Sequence, residues 1–235
     1  MSSIFNPRAA EQEESHWLSV SDLMAGLMMV FLFIAIALML NAFKERDKVK
    51  QVAVAYQENQ VAIYDALISE FQKDLERWDA VIEKDSLTFT FRSPDILFAT
   101  GKIALNKRYE MLLADFFPRY LAVLEQYSDS IAEVRIEGHT SSVWNRYVSD
   151  TEAYFLNMEL SQGRTRSVLE YVYQLPSTKN YQDWIKSHFA AVGLSSSKPV
   201  HTSEGQEDKE RSRRVTFRVI TNADIQMKRI LETEQ

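Results

Sequence analysis

The chain has 235 residues, a formal net charge of −6 and no cysteine. That length accommodates one membrane helix and one domain of ordinary size. The missing cysteine excludes a disulfide framework, a thiol nucleophile and a cysteine metal site. The acidic balance weighs against nucleic acid as the main partner, and the histidines at 16, 139, 188 and 201 show no metal-ligand spacing.

Residues 1–15 are polar and read as a mobile tail. A transmembrane helix is expected over 16–43, with Trp17 as an interfacial anchor. Leu23–Leu40 carries no charge, and as a helix it spans about 27 Å, close to a hydrocarbon core. Glu11, Glu13 and Glu14 precede it against a single Arg8, and no Ala-x-Ala cleavage site follows. An uncleaved anchor fits this better than a signal peptide. Gly26, Ala25, Ala35 and Ala37 allow close approach of other helices.

Asp22 stands at the mouth of the run. An acid there is either an N-cap, sharing that job with Ser19 and Ser21, or part of an ion or proton pathway. The segment alone leaves both open. Lys44, Arg46, Lys48 and Lys50 follow the run, so the positive-inside rule favours a cytoplasmic C-terminal side.

Residues 44–84 read as one polar helix with an apolar stripe of Val52, Tyr56, Ile63, Leu67, Phe71, Leu75, Trp78 and Ile82. The stripe suits a second copy of itself, the bilayer surface or its own domain. Residues 85–221 read as an α+β domain, a small mixed sheet with helices on one face. Strands are expected at 87–91, 133–137, 190–194 and 214–220, where apolar and polar residues alternate or run briefly apolar. Ser93-Pro94 ends the first. Helices are expected at 108–126, 151–173 and 180–190, with a turn or kink at Pro118. Residues 222–235 form a tail.

Three pieces of this domain together resemble the OmpA C-terminal, or MotB-like, peptidoglycan-binding family: Ile136-Glu137-Gly138-His139-Thr140, then Asn157 through Leu160 and Ser161 to Arg164, then Arg213-Arg214-Val215. Ile96-Leu97-Phe98, with Gly101 and Leu105, is similar to the family's entry segment. Asn157, Leu160 and Arg164 fall on one helical face. The resemblance implies that this face takes the free carboxylate of a peptidoglycan stem peptide, a task suited to the bidentate guanidinium of Arg164. It implies roles beside it for His139, Thr140, Ser141, Arg213 and Arg214. His139 is expected to be structural, and only one of Arg213 and Arg214 can face the site, leaving the other as a solvated edge charge. Ser141 stands where the family usually has an Asp that pairs with the stem's ammonium group. The connection from Ser141 to Asn157 is also expanded, and Asp150 or Glu152 is a candidate for the missing carboxylate.

Trp17, Asp22 and the Leu-Met run behind it resemble the single membrane helix of MotB-type motor subunits, in which the matching Asp carries the ion. The acidic N-terminus, the absent Asp and the expanded connection are more similar to the ZorB family of Zorya-type anti-phage motors than to flagellar subunits. The resemblance implies a non-enzymatic B subunit of an inner-membrane rotary motor with no cofactor. The transported ion is H+ ahead of Na+. A dimer of the chain would sit inside a ring of a multi-span MotA/ZorA-like partner, with the lipid bilayer and peptidoglycan as its other contacts. The N-terminus would then be cytoplasmic and the domain periplasmic, opposite to the short-range charge count. The alternatives are a flagellar or other MotB-type stator subunit and a passive OmpA-like wall tether without ion flow. A peptidoglycan-cleaving enzyme has no legible Ser-His-Asp, metal or paired-carboxylate arrangement behind it.

Overall fold

The computed structural model describes residues 7–92 and 97–225. Ser93, Pro94, Asp95 and Ile96, where the sequence places a strand break and the start of the entry segment, lie outside the described residues. So do residues 1–6 and 226–235 of the expected tails. The chain divides into two compact units, Met1–Gln51 and Val52–Gln235.

A single helix, α1 (Pro7–Leu75), supplies the described part of the first unit and the opening of the second. Pro7 stands at its first position, where a missing N–H costs nothing. Residues 7–15, expected as a tail, are therefore helical, and the membrane segment and the segment after it are one helix. In the first unit, the apolar residues from Leu23 to Leu40 that the sequence singled out are exposed around the whole helix. Among the described residues, one helix is long and apolar enough to cross a membrane. A helix apolar on every side needs lipid or other helices to cover it.

In the second unit α1 lays Ile63, Leu67 and Phe71 into the core, all fully buried. Phe71 meets Phe89 at 5.4 Å and Phe116 at 5.3 Å between ring centroids. Of the three uses open to the stripe, this part serves its own domain, so Ile63 and Leu67 are not free to pair with a second copy. The helix ends at Leu75 rather than running to 84. After a turn through Asp79, at φ +46°, the chain forms strand β1 (Ala80–Glu83). Ile82 is buried there by strand pairing, not by a helical face. The domain thus begins well before residue 85.

β1 pairs antiparallel with β2 (Thr88–Phe91). Helix α2 (Lys107–Glu125) follows, capped by the Asn106 side chain, then β3 (Ile131–His139), α3 (Asp150–Gln174), α4 (Gln182–His188) and β4 (Phe189–Gly193). A short helix α5 (Lys209–Ser212) leads into β5 (Arg214–Thr221), and residues 222–225 make one more helical turn. The sheet order is β1-β2-β5-β3-β4; β3 and β4 are parallel and the other pairs antiparallel. Side chains alternate between faces. Phe89, Phe91, Val134, Ile136, Val215 and Phe217 point to the buried face. Thr88, Thr90, Arg135, Glu137, Thr216 and Arg218 point to the other. Phe116 and Phe117 of α2 pack on Phe217, and α3 packs on Gly138 and Gly193, so these helices share one face as expected.

Pro118 lies inside α2 and does not stop it. It removes the bond that the Ala114 carbonyl would accept. Burial on both sides offsets that loss: Leu113, Phe116, Phe117, Tyr120 and Leu121 are all fully buried.

Candidate functional site

The site is built where α3 crosses the C-terminal ends of β3 and β4. A Cβ on Gly138 would lie 2.8 Å from the Ser161 carbonyl oxygen, and one on Gly193 would lie 2.4 Å from the Gln162 backbone nitrogen. Glycine at both positions lets the helix backbone reach the sheet. Ser149 caps α3 by accepting from the Glu152 N–H at 3.3 Å.

Along the inner face of α3, Asn157, Ser161 and Thr165 are buried polar residues four apart, and each has a fixed partner. The Asn157 amide donates to the Ser141 carbonyl at 3.1 Å. The Ser161 hydroxyl donates to the Met158 carbonyl at 2.9 Å and accepts from the Ser195 N–H at 3.1 Å. Thr165 donates to the Ser161 carbonyl at 3.1 Å. Ser195 holds a left-handed backbone at φ +51°. It donates its hydroxyl to the Tyr154 carbonyl at 2.7 Å and accepts the Thr140 N–H at 2.9 Å. The turn after β3, the turn after β4 and α3 are thereby locked together.

A cavity of about 220 Å³ opens beside this lock. Thr140, Ser141, Asn157, Leu160, Arg164 and Arg213 line it, six of the residues singled out from sequence. Phe98, Thr100, Gly101, Val143 and Trp144 complete it. Arg164 donates through Nε to the Lys102 carbonyl at 3.0 Å and through Nη2 to the Ala99 carbonyl at 3.3 Å. Its guanidinium lies 4.8 Å from the centroid of the Phe98 ring. Burial, and then the nearby Arg213 charge, push the Arg164 pKa down to about 10, which leaves it charged at neutral pH. The Arg213 Nε and the Thr140 hydroxyl are buried without hydrogen-bond partners. Among the described residues, no carboxylate pairs with Arg164 or Arg213. One guanidinium held by carbonyls and an aromatic ring, a second whose Nε has no partner, and an unused hydroxyl beside them have the chemistry to receive an anion.

His139 and Arg214 stand behind this cavity, in a smaller space that Arg164 and Arg213 also border. His139 Nε2 lies 3.8 Å from a Glu137 carboxylate oxygen, beyond hydrogen-bond reach, and both ring nitrogens are unpartnered. Burial holds the His139 pKa below its ordinary value, against the pull of Glu137. For Glu137 burial acts upward, but His139, Arg218 and Arg135 outweigh it and hold the pKa down. Arg214 is not the solvated edge charge expected from strand alternation. It donates to the Ser212 carbonyl at 3.1 Å and the Lys198 carbonyl at 3.2 Å, tying down the loop before β5.

Asp150 and Glu152 lie exposed in the first turn of α3 and do not line the cavity. A different acid acts on the expanded connection: Glu207 accepts both the backbone N–H of Ser142, at 2.9 Å, and its hydroxyl. Sequence reasoning missed Glu207, Ser195, Gly193, Val143 and Trp144. Only Trp144 carried a signal, as a lone indole in a polar connection. In the first unit Asp22 is exposed on α1, fifteen residues beyond the helix start at Pro7. That position removes the N-cap reading.

No protein-family model matches the chain. It is 54% identical over 222 residues to the Zorya protein ZorB of Escherichia coli strain ATCC 8739, covering 94% of this chain and 94% of that protein. Among solved structures it is similar to a putative MotB-like protein from Desulfovibrio vulgaris, with a TM-score of 0.47 and 20% identity over 73% of this chain and 94% of the other. It is also similar to the cell wall anchor of the type VI secretion system from Pseudomonas aeruginosa, with a TM-score of 0.46 and 23% identity over 66% of this chain and 97% of the other. By its identity to the Escherichia coli protein over nearly the full length of both, the chain belongs to the ZorB family of Zorya proteins.

Proposed function

We propose that the chain is the B subunit of an ion-driven inner-membrane motor in Zorya-type anti-phage defence, braced on peptidoglycan through the α3 cavity. Asp22 is the ion-carrying group. Protonation toggles its charge, and the change in solvation favours one packing of the surrounding helices over another. The partner is a multi-span subunit whose ring encloses a dimer of this chain. The N-terminus is cytoplasmic and the cavity periplasmic. The assembled partner overrides the short-range bias of Lys44, Arg46, Lys48 and Lys50. The transported ion is H+ rather than Na+. The chain serves as a mechanical and ion-conducting part, not as an enzyme.

The observation that carries the wall-binding half is the pairing of Arg164 and Arg213 in one cavity without a partner carboxylate among the described residues. Half-buried cations without a counter-ion are costly to hold unless a ligand completes them. A stem-peptide carboxylate has the charge and the planar fork to do so.

The test is co-sedimentation of the detergent-solubilised full chain with purified sacculi. Arg164→Ala is expected to weaken binding roughly ten- to a hundredfold, the cost of about 1.5–3 kcal/mol for a charge-assisted contact. Unchanged sedimentation by a folded variant places wall binding elsewhere.

A further inference from the structure

The expanded connection between β3 and α3 supplies neither of the cavity's cations, yet it lines the cavity and is tied down at both ends. Glu207 holds Ser142 through two hydrogen bonds, and Asn157 holds the Ser141 carbonyl. Within the connection the Tyr147 N–H donates to the Asn145 side chain at 2.8 Å, and the Arg146 guanidinium stacks 4.7 Å from the Tyr147 ring. Ser149 closes it as the α3 cap. A segment tied at both ends presents its side chains with less entropy left to lose. What it presents to the cavity is Val143 and Trp144.

The cavity therefore has two chemically different ends. Asn157, tied to Ser141 and so to this connection, and Arg164 lie seven residues apart on α3, about 10 Å along the helix. The Arg164 end is cationic. The other brings an indole together with the hydroxyl residues Thr140 and Ser141. A flat aromatic surface beside hydroxyl groups matches a pyranose ring, whose C–H face is apolar and whose rim is polar. A purely apolar side chain would leave the hydroxyls unused.

We propose that Trp144 is a saccharide-stacking residue, and that the cavity binds the glycan sugar and the stem-peptide carboxylate of one muramyl-peptide together. This rests on the wall-binding reading of Arg164. The carboxylate anchors one end of the ligand and the indole face covers the sugar at the other. The chain thus distinguishes a stem still attached to its glycan strand from a released peptide of the same sequence.

The test uses the full chain in detergent, with calorimetric titration of two probes: a diaminopimelate-containing stem peptide, and the same peptide linked to N-acetylmuramic acid. The wild type is expected to bind the muramyl-linked probe tighter on the order of tenfold, as for a well-packed aromatic contact. Trp144→Ala should lose that preference by weakening the muramyl-linked probe alone, and Trp144→Phe should keep most of it. Arg164→Ala should weaken both probes alike. Equal wild-type affinity for the two probes, or equal weakening of both by Trp144→Ala, overturns the saccharide role while leaving the carboxylate site standing. Indifference of both probes to Arg164→Ala, or no binding of either, overturns the wall-binding reading and the proposal with it.

Discussion

Exchanging Asp22 for Asn is expected to abolish phage protection while leaving the amount of chain in the membrane unchanged. Asn keeps the size and polarity of the side chain and removes only its ability to change charge. A local structural role would survive that exchange, since Asn caps helices as well as Asp does. No cap is at stake in any case, because α1 starts at Pro7 and carries Asp22 in its interior. An acid at the mouth of an apolar run is costly to hold, and among the described residues Asp22 forms no ion pair; the pair in its unit joins Arg46 to Asp47. The expected result is plating efficiency on the variant strain equal to that on a strain lacking the system. Asp22→Glu, which restores a titratable group, should recover part of the protection. Full protection by Asp22→Asn would reduce the residue to a polar helix position.

Phe116→Ala is expected to destabilise the C-terminal unit by about 3–5 kcal/mol, the usual cost of emptying a buried phenyl site. Phe116 sits at the hub of the core. Its ring centroid lies within 5.3 Å of Phe71, Phe89, Phe91, Tyr120 and Phe217, which come from α1, α2, β2 and β5. Its removal loosens the elements on either side at once, including the α2 segment that tolerates Pro118. For a unit of this size the melting midpoint should fall by roughly 6–20 °C, read by near-ultraviolet circular dichroism. A fall of less than a degree or two would mean that the core closes over the gap, which rings fixed from four directions are poorly able to do.

The strands and helices that carry the site were legible because each has a clean period. Thr88–Phe91 and Arg214–Thr221 alternate, and Asn157, Leu160 and Arg164 fall on one helical face. Strand β1 was not. Ala80–Glu83 is too short for alternation to declare itself, and Trp78 and Ile82 extend the helical stripe of α1 by spacing alone, so pairing with β2 decided the matter. The choice between Arg213 and Arg214 was open for a related reason. Alternation says that they point apart, but which one meets α3 depends on how the chain enters β5 from α5. Ser195 had no signal at all: a serine in a left-handed turn looks like any loop serine until Ser161, Tyr154 and Thr140 converge on it. Glu207 is likewise distant in sequence from Ser142 and meets it only through the fold.

The proposed motor needs a grip on the wall through the α3 cavity. That requirement is tested most directly by plating phage on cells that carry the partner genes with the double variant Arg164→Ala, Arg213→Ala. Both changes remove cations from the cavity without touching the Asn157, Ser161 and Ser195 contacts that hold its frame. The expected result is a chain present in the membrane at normal level, released from sacculi, and giving no more protection than Asp22→Asn. Undiminished protection by a variant that no longer binds sacculi would contradict it.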